Sequence, residues 1–217
     1  MANYLLFDLD GTLTNPQVGI TKSVQYALQA FGIEVENPDV LCPFIGPPLK
    51  ESFMRFYDFS EQDALLAVAK YREYFTDKGI YENIIYDGVA NMLEKLKQED
   101  KTLILATSKP TVFAQVILQH FSIATAFTFV GGSELDGSRT RKSEVISYVL
   151  QENNITDLQD VVMIGDREHD IIGAREVGID SIGVLYGFGD YKELSEAKAT
   201  MIVDSVDELQ EILLKAD

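Results

Sequence analysis

Six short apolar runs punctuate the chain, at residues 4–7, 102–106, 127–130, 161–164, 181–184 and 200–203. Each has the length of a buried strand, and most are rich in Ile, Val, Leu or Phe. Between them, residues 89–98, 112–121, 142–153 and 171–177 carry apolar side chains at helical spacing. Strands alternating with helices predict βα units, and hence an α/β fold built on a doubly wound parallel sheet.

Residues from about 15 to 84 break that rhythm. Ile20, Val24, Ala27, Leu28 and Phe31 mark one amphipathic helix, Leu49, Phe53 and Phe56 a second, and residues 64–75 a third. Pro16 and Gly88 punctuate the two junctions. The pattern predicts an α/β core of residues 1–14 and 85–217, with a small α-helical cap inserted at 15–84. The insertion starts directly after the first strand, where it could close over a ligand at that strand's end.

Composition narrows the partners. The chain has 217 residues and a formal net charge of −17. So acidic a chain repels nucleic acid and anionic membrane, and neither is an expected partner. A phosphate ligand would need a metal ion or clustered Lys and Arg to reverse the local field. Cys42 is the only cysteine, which excludes an intrachain disulfide and a metal site built on thiolates. The first residues lack a basic, signal-like start, and no run approaches eighteen apolar residues. A cytoplasmic monomer is the expectation.

The chemistry-bearing stretch is Phe7-Asp8-Leu9-Asp10-Gly11-Thr12-Leu13-Thr14. A strand that ends in Asp-x-Asp and turns at once on Gly11 can aim Asp8 and a neighbouring carbonyl at one cation, with Asp10 swinging back toward the same point. Asp8, Thr107 and Asp166 each follow an apolar run. All three should therefore lie at the carboxyl ends of parallel strands, where ligands gather in open sheets. Plainer readings stand beside these. Asp10-Gly11 can be a simple turn, Asp166 a helix N-cap, Asp170 a first-turn carboxylate facing the helix dipole, and Ser108 the cap of the following helix.

Together with Gly165-Asp166-Arg167-Glu168-His169-Asp170 and Gly183-Val184-Leu185-Tyr186-Gly187, that stretch resembles the haloacid dehalogenase superfamily over nearly the whole chain. The likeness is greatest to phosphoglycolate phosphatases and related nucleotidases. It implies a Rossmann-like core with a helical cap, and a Mg²⁺-dependent phosphomonoester hydrolase acting through an aspartyl-phosphate. The implied substrate is a small phosphorylated metabolite, phosphoglycolate or a nucleoside monophosphate. Asp8 would be the nucleophile and Asp10 the general acid and base. Thr107 would donate to the phosphoryl group, and Lys142 would offset its charge, with Arg139 and Arg141 as rivals in the same basic cluster. Asp8, Asp10 through its carbonyl, Asp166 and Asp170 would hold the metal.

Two alternatives stay open: a sugar phosphomutase of the β-phosphoglucomutase type, and a non-catalytic protein that binds a phosphorylated metabolite. Residues 44–49 resemble a cap loop that reaches the active site in related phosphatases, and Lys50, Arg55 and Arg72 are cap cations that could meet a second anionic group. His169, His120 and Cys42 read more simply as a helix-surface residue, a helix-end residue and cap packing.

Overall fold

The apolar runs do become strands, and their order sets where the chemistry can lie. The computed structural model describes residues 2–215. Within them the chain forms two compact units, one of residues up to Asn15 together with those from Ile85 onward, the other Pro16–Ile84.

In the first unit, β1 (Tyr4–Phe7), β4 (Thr102–Pro110), β5 (Phe129–Ser133), β6 (Val161–Gly165), β7 (Asp180–Val184) and β8 (Met201–Val203) make one sheet in the order β5-β4-β1-β6-β7-β8. The pairings are parallel. Two further strands, β2 (Thr14–Asn15) and β3 (Ile84–Ile85), form a separate two-stranded sheet. The chain runs outward from β1 through β4 to β5, then returns to the other side of β1 as β6. That reversal beside β1 is the switch point at which open α/β sheets leave a crevice.

β1 is short but wholly interior: Leu5, Leu6 and Phe7 are buried. Leu6 stands in register with Ile104 on one side and Met163 on the other. On that face it packs with Val145, Ile146 and Val149 of α6 (Lys142–Glu152) and with Ala174 of α7 (Glu168–Val177). A strand buried on both faces needs continuous apolar sequence, which Tyr4-Leu5-Leu6-Phe7 supplies. α4 (Val89–Gln98) and α5 (Thr111–His120) complete the predicted crossovers.

Several boundaries move from the expectation. The strand expected at 127–130 is Phe129–Ser133, because Gly131 and Ser133 pair with Ala106 and Pro110 of β4 rather than breaking the strand. β4 itself runs past Ala106 to Pro110, with a register shift between those residues. α7 starts at Glu168, three residues before its first large apolar side chain. Two closing helices, α8 (Tyr191–Glu196) and α9 (Val206–Leu214), were not foreseen. Asp190 and Ser205 cap them by accepting from the amides of Glu193 and Glu208.

The second unit holds α1 (Gln17–Gln29), α2 (Leu49–Tyr57) and α3 (Glu61–Tyr74), with a 3₁₀ segment at Pro38–Phe44. α1 buries Ile20, Val24, Ala27 and Leu28, four of the five positions its sequence spacing picks out. Phe44, Phe53, Tyr71 and Phe75 are buried, so these rings pack as interior. Cys42 is half-buried rather than enclosed. Among the described residues, no helix is long and apolar enough to cross a membrane.

Candidate active site

Asp8 stands one residue beyond β1, its amide donating to the Ile164 carbonyl of β6 at 2.9 Å. A tight turn follows. The amides of Leu13 and Thr14 both donate to the Leu9 carbonyl, at 2.9 and 3.1 Å, and the Gly11 amide donates to Thr14 at 2.8 Å. Gly11 has φ of +85°, a conformation that costs residues with a Cβ, so the turn selects glycine. Asp10 is carried back to the sheet edge, where it is buried beside Asp8.

Thr107 and Asp166 arrive at the same edge from the strands flanking β1. Asp166 follows Gly165, the last residue of β6, and is fully buried. It is not the helix cap; that position belongs to Arg167. Asp170 does accept a first-turn hydrogen bond, from the Arg167 amide at 3.1 Å, while its other oxygen faces the site. Ser108 is not a cap either, since α5 is preceded by Pro110; the Ser108 carbonyl accepts from the Ser133 hydroxyl at 2.8 Å.

Lys142, the first residue of α6, organises the cluster. Its Nζ lies 2.8 Å from Asp8 Oδ1, 2.7 Å from Asp170 Oδ1 and 3.0 Å from the Ala106 carbonyl. An ammonium has three donors, and here three oxygens surround it. Burial alone would push the Lys142 pKa down, but Asp170 and Asp8 outweigh it and push it up, so the ammonium stays charged. The rival cations point elsewhere. The Arg139 guanidinium pairs with Glu134 and lies 3.7 Å from the centre of the Tyr148 ring, and Arg141 pairs with Glu176 at 3.3 Å.

Sequence reasoning missed one cation. The Lys109 side chain is buried, and its ammonium contacts Asp10 Oδ2. Each carboxylate of the Asp-x-Asp motif therefore has its own lysine. Burial raises the Asp10 pKa most, Lys109 opposes it, and the neighbouring charge of Asp8 adds to the rise; the net shift is upward. A signal existed. In extended chain, residues two apart point to the same face, so Thr107 predicts the direction of Lys109 once β4 is carried past Ala106.

Asp8, Asp166 and Asp170 each offer a carboxylate oxygen within 4.8 Å of the other two. Burial, then the charges of Asp170 and Asp8, push the Asp166 pKa well above the usual carboxylate range. Asp166 Oδ1 is buried without a hydrogen-bond partner among the described residues. Hard oxygen donors that are crowded, buried and under-satisfied fit a divalent cation such as Mg²⁺. The Asp10 carboxylate lies outside this trio. His169 sits half-buried on α7, and His120 ends α5 against the Phe121 ring. In the helical unit, Lys50 pairs with Glu61 and the Arg55 guanidinium lies 5.4 Å from the centre of the Phe56 ring. A cavity of about 430 Å³ opens at the opposite, amino-terminal ends of β6 and β7, lined by Asp157, Asp160 and Asp180, away from this cluster.

Residues 5–184 match the model of the haloacid dehalogenase-like hydrolase family. The chain belongs to that family. A 5'-nucleotidase of Pseudomonas aeruginosa is 46% identical over 209 residues, covering 96% of this chain and 94% of that one. The tyrosine-protein kinase PtkA of Mycobacterium tuberculosis is 35% identical over 96% of this chain and 72% of its own length. A phosphoglycolate phosphatase of Vibrio parahaemolyticus is 25% identical over 96% of this chain and 95% of its own. The crystal structure of a predicted phosphatase from Clostridium acetobutylicum superposes with a TM-score of 0.97 at 51% identity, covering 100% of both chains. The haloacid dehalogenase-like protein is thus an enzyme of the phosphatase kind, on a Rossmann-like α/β fold.

Proposed function

We propose that the chain is a Mg²⁺-dependent phosphomonoester hydrolase that works through an aspartyl-phosphate on Asp8. The observation that carries this reading is the buried cluster in which Lys142 bridges Asp8 and Asp170 while Asp166 leaves one oxygen unsatisfied. Bound by Asp8, Asp166, Asp170 and the Asp10 carbonyl, the metal would offset the charge of the phosphoryl group.

The residues divide the remaining work. An oxygen of Asp8 attacks phosphorus, and the bond to the ester oxygen breaks. Asp10 gives that leaving oxygen its proton, a role that the upward shift from burial supports. Water then attacks phosphorus, Asp10 takes its proton, and the bond to Asp8 breaks to release inorganic phosphate. Thr107 would donate to the phosphoryl oxygens, and Lys142 would hold their charge. The helical unit 16–84 is read as the cap that would select the leaving group.

A nucleoside monophosphate is the favoured substrate, because the relative named 5'-nucleotidase is far more similar than the one named phosphoglycolate phosphatase. Phosphoryl transfer to a hydroxyl instead of water is the second reading, favoured by the likeness to a protein named a tyrosine kinase. Phosphate release from a panel of nucleoside monophosphates and phosphoglycolate, with Mg²⁺ and with chelator, tests the first. Metal-dependent release that Asp8→Asn abolishes is expected. Equal release by that variant would remove Asp8 as nucleophile, and transfer of label from ATP to a tyrosine peptide without phosphate release would favour the second reading.

A further inference from the structure

The loop after β7 approaches Asp166 more closely than side chains would permit. The Phe188 amide donates to Asp166 Oδ2 at 2.8 Å, which turns the unpartnered Oδ1 away from that bond. Gly187 and Gly189 flank this amide. A Cβ on Gly187 would collide with Asp166 Cβ and with the Gly11 carbonyl oxygen, and one on Gly189 with the Asp166 carbonyl oxygen. Glycine is thus required on both sides by close approach rather than by unusual φ.

The loop is anchored at each end. Leu185 donates its amide to the Val203 carbonyl at 2.9 Å, fixing the exit from β7 on β8. The Tyr186 hydroxyl donates to the Thr12 carbonyl at 3.1 Å, tying the loop to the turn that carries Asp8 and Asp10. Beyond it, Glu193 Oε1 of α8 accepts from Arg167 Nε and from the Glu168 amide, both at 2.8 Å, holding the start of α7 next to Asp166.

We propose that residues 186–189 form a backbone strap that positions Asp166 as a metal ligand. The inference rests on the reading that Asp166 binds the cation. One carboxylate oxygen is held by the strap and the other is left for the metal. Groups that orient ligands in this way commonly govern metal affinity, with losses of about 10–100-fold when they are removed. The strap acts through Asp166, so its residues are positioning residues.

The test is Mn²⁺ titration of the full chain by calorimetry, with melting measured separately in chelator. Gly187→Ala and Gly189→Ala should weaken Mn²⁺ binding by about tenfold or more, and Tyr186→Phe, which removes one tie of the strap and not its amide contact, by a smaller but measurable factor. In chelator, Tyr186→Phe should melt close to the parent, because only a hydroxyl is lost; a purely structural role would instead lower melting and spare affinity. Parental Mn²⁺ affinity in the glycine variants would overturn the strap and leave the cation site standing. Absence of Mn²⁺ binding by the parent would overturn both. Should the glycine variants fail to fold, Tyr186→Phe decides: weakened binding supports the strap and unchanged binding overturns it.

Discussion

At the carboxyl edge of the sheet Asp8, Asp10, Lys142, Asp166 and Asp170 are all buried, whereas the helical unit 16–84 buries rings and leaves its ion pairs in water. In that unit Phe44 and Phe53 meet edge-on at 5.0 Å, Tyr71 stacks on Phe75 at 5.2 Å, and Lys50–Glu61 and Lys70–Glu73 lie outside. The rings buried in the helical unit follow the rule that apolar groups go inside because that removes them from water. The sheet edge violates it five times within one cluster. Buried charges cost several kcal/mol each unless paired. A protein carries such a cost where chemistry needs charge in a dry place, which is the role proposed for the edge.

The comparison breaks first, and most severely, at the proposed nucleophile. Asp8→Asn should cut phosphate release by about a thousandfold or more, as removal of a covalent nucleophile does elsewhere. Asp10→Ala should cost about 100- to 10,000-fold, the range of general acid–base catalysis. Circular dichroism should show both variants folded. Steady-state kinetics on the best ester read the outcome, and a parental rate in Asp8→Asn would remove the covalent pathway.

Lys142→Met attacks stability as well as turnover. It leaves Asp8 and Asp170 buried without their cation, a loss of the kind that costs about 3–5 kcal/mol. For a chain of this size that is a fall of roughly 6–20 °C in Tm. Thermal melting in chelator checks it. A fall below about 2 °C would show that the carboxylates relax by taking up protons instead, and Lys142 would then be dispensable to the fold.

Asp166→Asn should have the opposite sign. The folded-state pKa of Asp166 is raised by burial and by Asp170 and Asp8. Folding then favours the protonated form, so ionised Asp166 lowers stability as pH rises from the ordinary carboxylate range through the raised value. In chelator the Asn variant should therefore melt a few degrees above the parent at neutral pH, and the gap should close toward acid. Added Mg²⁺ should stabilise the parent more than the variant and reverse the order. A variant that melts below the parent in chelator at neutral pH would mean that Asp166 carries no unrelieved charge.

Most of this edge could be read from sequence because its carboxylates follow apolar runs. Asp8, Thr107 and Asp166 each stand directly after a hydrophobic stretch, and parallel pairing brings those stretch ends together. Lys142 follows from the basic cluster ahead of a helix that the family resemblance calls for, and Asp170 from the motif at 165–170; the structure puts Lys142 against both Asp8 and Asp170. Lys109 was overlooked because the apolar run ends at Ala106 while β4 continues to Pro110. The strap was invisible for a different reason. Its contact to Asp166 is a backbone amide, which has no residue signature, and only the glycines on either side of Phe188 hint at the close approach. Helix α8 was missed because it is six residues long and buries Leu194 alone, whereas α9 does carry an apolar face, Val206, Leu209 and Leu213, that could have been read.

The smallest expected effect lies in the helical unit and completes the contrast with Lys142. Lys50 and Lys70 make ion pairs as close as those of Lys142, yet both pairs stand in water. Solvent already satisfies each partner, so an exposed pair gains little beyond what hydration gave, and side-chain entropy offsets part of that. Lys50→Met and Lys70→Met should each shift Tm by less than about 2 °C, and moderate salt should erase the difference. A shift for Lys50→Met as large as that for Lys142→Met would mean that contact distance, not burial, decides what an ion pair contributes here, and the distinction between the two regions would fall. Phosphate release adds a second axis. Lys142→Met loses turnover on every ester if Lys142 faces the phosphoryl group, because that group is common to all of them. A loss in Lys50→Met confined to some esters would instead place Lys50 against the leaving group, giving it a part in selectivity that its stability effect would never reveal.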